Sequence, residues 1–177
     1  MQRESIPFER FRLSVVSIWD RQWLLLATGD FQKKDNNCMT VGWGSFGVMW
    51  GRPFAMVVVR PTRYTWQLME RSDSFTLTAY PEEHREKLSY CGSHSGRDGD
   101  KAKACGLTAC AAGRVRAPAF EEAELLIECR KIYEDDFDPG RFLDPKIETN
   151  YPQKDYHRVY FGQILALSGI AAYRVDE

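Results

Sequence analysis

Between Trp23 and Leu167 the chain is cut into short β-branched and aromatic runs bounded by Gly, Pro or Asp, and two helical stretches interrupt them. Parallel strands need a long crossover, usually a helix, between each pair. Strands that follow one another without regularly alternating helices therefore point to an antiparallel barrel or sandwich rather than a doubly wound parallel sheet. No GxGxxG follows any of these runs, so the glycine turn that brings a pyrophosphate to a helix N-terminus in a dinucleotide-binding domain is missing. A dinucleotide that binds here binds transiently or by another route.

The runs themselves are legible. Trp23 to Thr28 is apolar and meets a turn signal at Gly29-Asp30; Met39 to Phe46 and Phe54 to Arg60 are bounded by Gly or Pro. Ser74 to Tyr80 sets Phe75, Leu77 and Ala79 against Ser74, Thr76 and Thr78, a period of two with one apolar face. Leu125 to Tyr133 and Val159 to Leu167 supply two later strands, separated by a Pro-, Asp- and Tyr-rich excursion from Asp135 to Asp155. Tyr64 to Arg71 predicts a helix, with Thr62 to cap it and Tyr64, Leu68 and Met69 near one face. Pro81 opens a second helix running to about Tyr90, with acids in its first turn. Cys91 to Lys101 reads as a loop or the start of a helix.

A length of 177 residues fits one compact domain, 1–177, with room for a real core. The net charge of −1 gives no field for steering a polyanion, so nucleic acid is not an expected partner. No run approaches the roughly 18 apolar residues of a membrane helix, and the start, MQRESIPFERFR, has no apolar h-region. The expectation is a soluble, unexported, cytoplasmic protein without membrane contact. The five cysteines, at 38, 91, 105, 110 and 129, form no CxxC pair and their odd number leaves a free thiol, which suits a reducing cytosol. Cys105, Cys110 and His94 match no familiar zinc spacing, so no metal is expected.

Four segments carry candidate chemistry. Asn37 to Gly47, NCMTVGWGSFG, sets backbone N–H groups on small residues beside bulky apolar side chains, a wall for a flat ring; its Trp43 and Phe46, like Trp50, are equally suited to core or interface. Arg60-Pro61-Thr62-Arg63-Tyr64-Thr65 places two arginines at a helix start, where guanidinium forks, a hydroxyl and free N–H groups can hold a phosphate. Arg63 and Thr65 are the first choices and Arg60 the next; solvated strand-end charges are the plainer reading. Ser93-His94-Ser95-Gly96-Arg97-Asp98 with Lys101 combines hydroxyls, a glycine and two cations in an anion-binding turn, or else a solvated loop. His157, in Asp155-Tyr156-His157-Arg158, either shapes a pocket, donates a proton, or is a structural histidine at a strand start.

In order and spacing, NCMTVGWGSFG, RPTRYT, FTLTAYPEE, YCGSHSGRDGDK and KDYHRVYFGQI resemble the flavin reductase-like proteins of the FMN-binding split-barrel fold, especially the flavoredoxin-like branch, over about Trp23 to Leu167. The resemblance implies a mainly β, six-stranded Greek-key antiparallel barrel with peripheral helices, a homodimer, and FMN held non-covalently near the subunit interface. It places Asn37, Met39, Thr40, Val41, Gly42 and Trp43 along the flavin ring, and Arg60, Arg63, Tyr64 and Thr65 at the phosphate. It also implies cofactor contacts from Cys91, Gly92, Ser93, Ser95 and Gly96, with Arg97 and Lys101. Gly42 departs from the pattern, since many relatives carry a small hydroxyl residue there. The implied activity is hydride transfer from NADH or NADPH to N5 of FMN and delivery to free flavin or a protein acceptor, with His157 at the nicotinamide side. An FMN electron carrier and a non-catalytic FMN-binding protein are the alternatives. Cys91 and Cys38 add a thiol that could exchange electrons with the flavin.

Overall fold

Only Gly42 and Trp43 separate strand β3 (Asp35–Val41) from β4 (Gly44–Met49), yet these strands stand at opposite ends of the hydrogen-bonded path of the main sheet. In a flat sheet that path would be about 29 Å wide, whereas three Cα steps reach at most about 11 Å. The sheet therefore rolls until its two ends meet. The computed structural model describes residues 2–175. Its other strands are β1 (Glu4–Ser5), β2 (Leu24–Asp30), β5 (Arg52–Val59), β6 (Ser74–Ala79), β7 (Ala109–Ala111), β8 (Pro118–Phe120), β9 (Leu125–Asp136) and β10 (Arg158–Gly169). The order is β3-β2-β6-β9-β10-β5-β4, with β1 added to β10 and every pairing antiparallel; β7 and β8 form a separate pair. Strands β6, β9 and β10 follow in succession and β5 lies beside β10, which is a Greek key.

Four short helices sit outside the sheet: α1 (Val15–Ser17), which runs into a π-turn at Ile18–Gln22, α2 (Tyr64–Arg71), α3 (Arg85–Ser93) and α4 (Lys101–Ala104). Among the described residues, no helix is long and apolar enough to cross a membrane. Two clusters share the apolar side chains. One fills the barrel with alternate residues such as Leu24, Leu26, Val57, Phe75, Leu77, Ile127 and Tyr160. The other lies outside β2 and β3, where Leu25, Ala27 and Cys38 meet Leu88 and Cys91 of α3. Strand β2 is thus buried on both faces.

The mainly β barrel with peripheral helices is as expected, and α2 spans the expected residues. Several local expectations are corrected. Eight strands make the sheet where six were implied. Gly29-Asp30 ends β2 instead of turning, because Asp30 still pairs with Asp35 and the turn falls at 31–34. The single strand expected from Met39 to Phe46 is two, broken at Gly42-Trp43 where the chain passes from one sheet end to the other. Strand β6 has no solvent face: Thr76 donates to the Pro118 carbonyl at 2.6 Å and all six residues are buried. Thr62 does not cap α2; Arg63 holds that position and no side chain closes it. Helix α3 runs on to Ser93, so Cys91, Gly92 and Ser93 are helical and the loop begins at His94.

Candidate functional site

The short β3–β4 link, the start of α2, the end of α3 and the start of β10 meet at one end of the barrel. There they enclose two adjoining hollows, about 210 Å³ and 130 Å³, that share Met39 and Arg63 as walls. The pairing of Val59 with Arg158 brings the next residues outward, Arg60 and His157, to the same rim.

The larger hollow is lined by Met39, Thr40, Val41, Gly42 and Trp43 with Arg60, Arg63 and His157. The smaller is lined by Asn37, Met39, Arg63, Tyr64 and Thr65 on one side. Cys91, Gly92, Ser93, Ser95, Gly96, Arg97 and Lys101 line its other side. Every residue expected to touch the cofactor, and His157, therefore faces one cleft made of the two adjoining hollows, whereas Cys38 lines neither. Val58, Thr62 and His94 also line it; Thr62 and His94 stand within candidate segments but were given no cofactor contact of their own, and Val58, an apolar residue of a strand, carries no signal.

The two ends differ in charge. At the smaller end three cations converge. Arg63 makes no side-chain hydrogen bond or ion pair among the described residues, and the first N–H groups of α2 have no side-chain cap. Arg97 stacks 5.3 Å over the Tyr64 ring and donates to the Thr62 carbonyl at 3.4 Å. Lys101 is buried, donates to the Cys91 carbonyl at 2.8 Å, and its ammonium is pushed down in pKa by that burial. Such a nest of unneutralised donors suits a phosphate dianion. Asn37 donates to the Thr65 hydroxyl at 2.8 Å, locking β3 to α2. A Cβ on Gly96 would fall 2.2 Å from Asn37 Oδ1, so only glycine lets the 94–100 loop close this tightly.

Away from the shared wall where Arg63 stands, the larger end is nearly neutral. Arg60, partly exposed, donates to Asp155 at 2.7 Å and to the Asn150 carbonyl at 2.8 Å, and lies 4.9 Å over the Tyr151 ring. Its charge is spent on Asp155, whose carboxyl it holds below the usual range, so it is a poorer anion anchor than Arg63. His157 is 8% exposed; burial, with Arg60 nearby, lowers its pKa to about 4 and keeps the imidazole neutral at pH 7. That favours a shaping role over proton donation by a charged imidazolium. Trp43 is half exposed at the mouth, 5.1 Å from the His157 ring. Thr40 gives its hydroxyl proton to the Leu88 carbonyl, leaving backbone for the cleft. A Cβ on Gly42 would sit 3.1 Å from the Trp19 carbonyl, so a side chain there is tightly confined.

The thiols lie behind the smaller end. Cys91 Sγ is 3.9 Å from Cys38 and 3.6 Å from Cys105. The hydrogen bond shared with Cys38 and burial push the Cys91 thiol far up, and burial takes Cys105 to about 12. Thiols held protonated in this way are poor nucleophiles.

Residues 21–170 match the family described as flavin reductase like domain. Among solved structures, the chain is similar to the FMN-binding domain of a flavin reductases-like enzyme from Shewanella baltica OS155, at 14% identity and a TM-score of 0.67 over 95% of this chain and 77% of that one. It is also similar to flavoredoxin from Methanosarcina acetivorans, at 22% identity and a TM-score of 0.67 over 96% and 74%. The NADH:FAD oxidoreductase SgcE6 of Streptomyces globisporus aligns at 12% identity and a TM-score of 0.64 over 85% and 76%. Comparison with curated proteins gave no significant match. The rolled Greek-key sheet is the split barrel.

Proposed function

The chain belongs to the flavin reductase-like domain family, and from that membership we propose that it is an FMN-dependent oxidoreductase that takes reducing equivalents from NADH or NADPH and passes them to free flavin or a protein acceptor. The observation that carries the reading is the polarity of one continuous cleft, cationic and unneutralised at Arg63, Arg97 and Lys101, neutral and aromatic at Trp43 and His157. A ring-bearing monophosphate matches that gradient at both ends. When bound, FMN supplies a hydride-accepting ring nitrogen and storage for two electrons.

The chain's own residues bind and orient. Arg63, Thr65 and the open start of α2 hold the phosphate, with Arg97 and Lys101 behind them. The backbone of Met39 to Trp43 gives the ring its wall, free of side-chain bases. Tyr64, Ser93, Ser95 and Gly96 close the loop side. His157 shapes the pocket without taking up a proton at neutral pH.

We place this site in a homodimer. Support comes from the β4–β5 hairpin, where Val48 and Trp50 are exposed and Trp50 packs 6.3 Å from Phe161 and 6.2 Å from Tyr133, an uncovered apolar patch of the kind that marks contact surfaces. Trp50→Glu is then expected to yield monomers in sedimentation equilibrium; an unchanged dimer would move the interface elsewhere. The carrier reading draws on the half-exposed Trp43 at the cleft mouth, which leaves the ring end reachable by a protein partner, and on the likeness to flavoredoxin. The test is the visible spectrum as isolated and after FMN addition and gel filtration. Retained flavin supports the site, and failure to retain FMN at micromolar concentration contradicts it.

A further inference from the structure

Tyr151 was not among the residues that the sequence singled out, yet it is the immediate partner of His157. Its hydroxyl lies 2.8 Å from His157 Nδ1, its ring is packed by the Arg60 guanidinium at 4.9 Å and the stacked Phe142 ring at 6.0 Å, and it is 3% exposed. The backbone holds it too: its N–H donates to the Glu148 carbonyl and its carbonyl accepts from Lys154 N–H, each at 2.9 Å.

Two proton arrangements satisfy that contact, and counting protons separates them. If Nδ1–H donated to the phenol, the phenolic proton would need another acceptor, and the Tyr151 hydroxyl makes no second hydrogen bond among the described residues. If the phenol donates to Nδ1, both groups are satisfied and the ring proton moves to Nε2. Burial raises the phenol's pKa and so keeps it a donor. Nε2 has no protein partner and is not among the enclosed polar atoms lacking one, so it opens to the cleft that His157 lines. The charged groups facing this imidazole are Arg60, Arg63 and Asp155, and Arg60 and Asp155 neutralise each other.

We propose that Tyr151 is a positioning residue that fixes His157 as the Nε2–H tautomer, presenting one neutral donor to the ring end of the cleft and selecting planar ligands that carry a carbonyl or carboxamide acceptor. The ligand half rests on the functional reading above; the tautomer half does not. Arg63, the one unpaired cation on this hollow's wall, is committed to the phosphate in the functional reading above and Arg60 to Asp155, so a neutral acceptor is what completes the unsatisfied Nε2–H donor, and the half-exposed Trp43 beside it offers a face for stacking.

The experiment compares the wild type with Tyr151→Phe. Long-range 15N–1H NMR of histidine-labelled protein without ligand is expected to show His157 protonated at Nε2 alone at pH 7, and a mixture of tautomers in the variant. Wild type protonated at Nδ1, or an unchanged tautomer in the variant, overturns the positioning role. In flavin-loaded protein, benzamide binding read from the flavin spectrum is expected to weaken about fivefold to tenfold in the variant, with FMN affinity unaltered. Equal benzamide affinity in both proteins overturns the ligand half. His157→Gln, which keeps an N–H donor but needs no tautomer, is expected to retain part of the benzamide binding and to be insensitive to Tyr151→Phe. Failure of wild type to bind FMN would strike the functional reading and the ligand half together, while the NMR still decides the tautomer.

Discussion

Replacing Arg63 by alanine separates binding from folding more cleanly than any other change at this site. Arg63 has no internal ion pair or side-chain hydrogen bond among the described residues, so its loss costs the fold little; exposed or partnerless arginines away from packing change stability by about 0.5 kcal/mol or less. In the proposed complex the guanidinium makes charge-assisted bonds to a phosphate, each worth roughly 1.5–3 kcal/mol. The expected loss is therefore about 10- to 100-fold in FMN affinity, with the melting temperature nearly unchanged. Arg60→Ala gives the reverse pattern, since it strips Asp155 of its partner and uncovers Tyr151, so destabilisation exceeds the loss of affinity. Fluorescence titration with FMN and with riboflavin completes the design. Riboflavin lacks the phosphate, so its affinity is expected to be the same in wild type and Arg63→Ala. An equal loss for both flavins, or no loss for FMN, would refute the assignment of the cationic end to phosphate.

Gly96→Ala drives a methyl group to within 2.2 Å of Asn37 Oδ1, and is expected to cost about 1–3 kcal/mol in thermal or urea unfolding and to weaken FMN, because Asn37 must release Thr65. Protonation of His157 is expected to be felt in acid. Its folded pKa near 4 lies below the ordinary 6.5, so the unfolded chain binds the proton first; stability is full above about 6.5 and falls as pH drops towards 4, by at most about 3 kcal/mol. His157→Gln should flatten that part of a urea-denaturation pH series, and an equally steep series would assign the loss to other groups. Cys91→Ser is expected to leave turnover unchanged with every acceptor, and native Cys91 to react slowly with thiol reagents, because burial and Cys38 hold it protonated; fast labelling would restore a redox role.

The cleft was legible because its parts lie in short, compositionally distinct segments. NCMTVGWGSFG, RPTRYT and CGSHSGRDGDK each carry small residues, cations or hydroxyls that have no reason to sit together in a plain strand. The mainly β class was legible in the same way, from runs bounded by Gly and Pro. What escaped depends on contacts between distant segments. Gly42-Trp43 reads as the middle of one strand because its neighbours are apolar, and only the meeting of the two sheet ends makes it a link. Thr76 looks solvent-facing until the Pro118 carbonyl, 42 residues away along the chain, accepts its hydroxyl proton, and Thr78 until the Leu25 carbonyl and the Tyr80 hydroxyl accept from it. Arg60 looks as free as Arg63, and Asp155, 95 residues on, decides otherwise. Tyr151 sits in an excursion without periodicity, so nothing local marks it as the partner of His157.

The central claim is that this cleft brings a nicotinamide donor to bound flavin. Its most direct test is anaerobic stopped-flow mixing of the FMN-loaded protein with NADH and, separately, NADPH, followed at the flavin absorbance. The account predicts bleaching at a rate no slower than steady-state turnover with at least one donor, and a slower or weaker response in Arg63→Ala at limiting FMN. Flavin that stays bound and oxidised with both donors would contradict it and leave the carrier reading in its place.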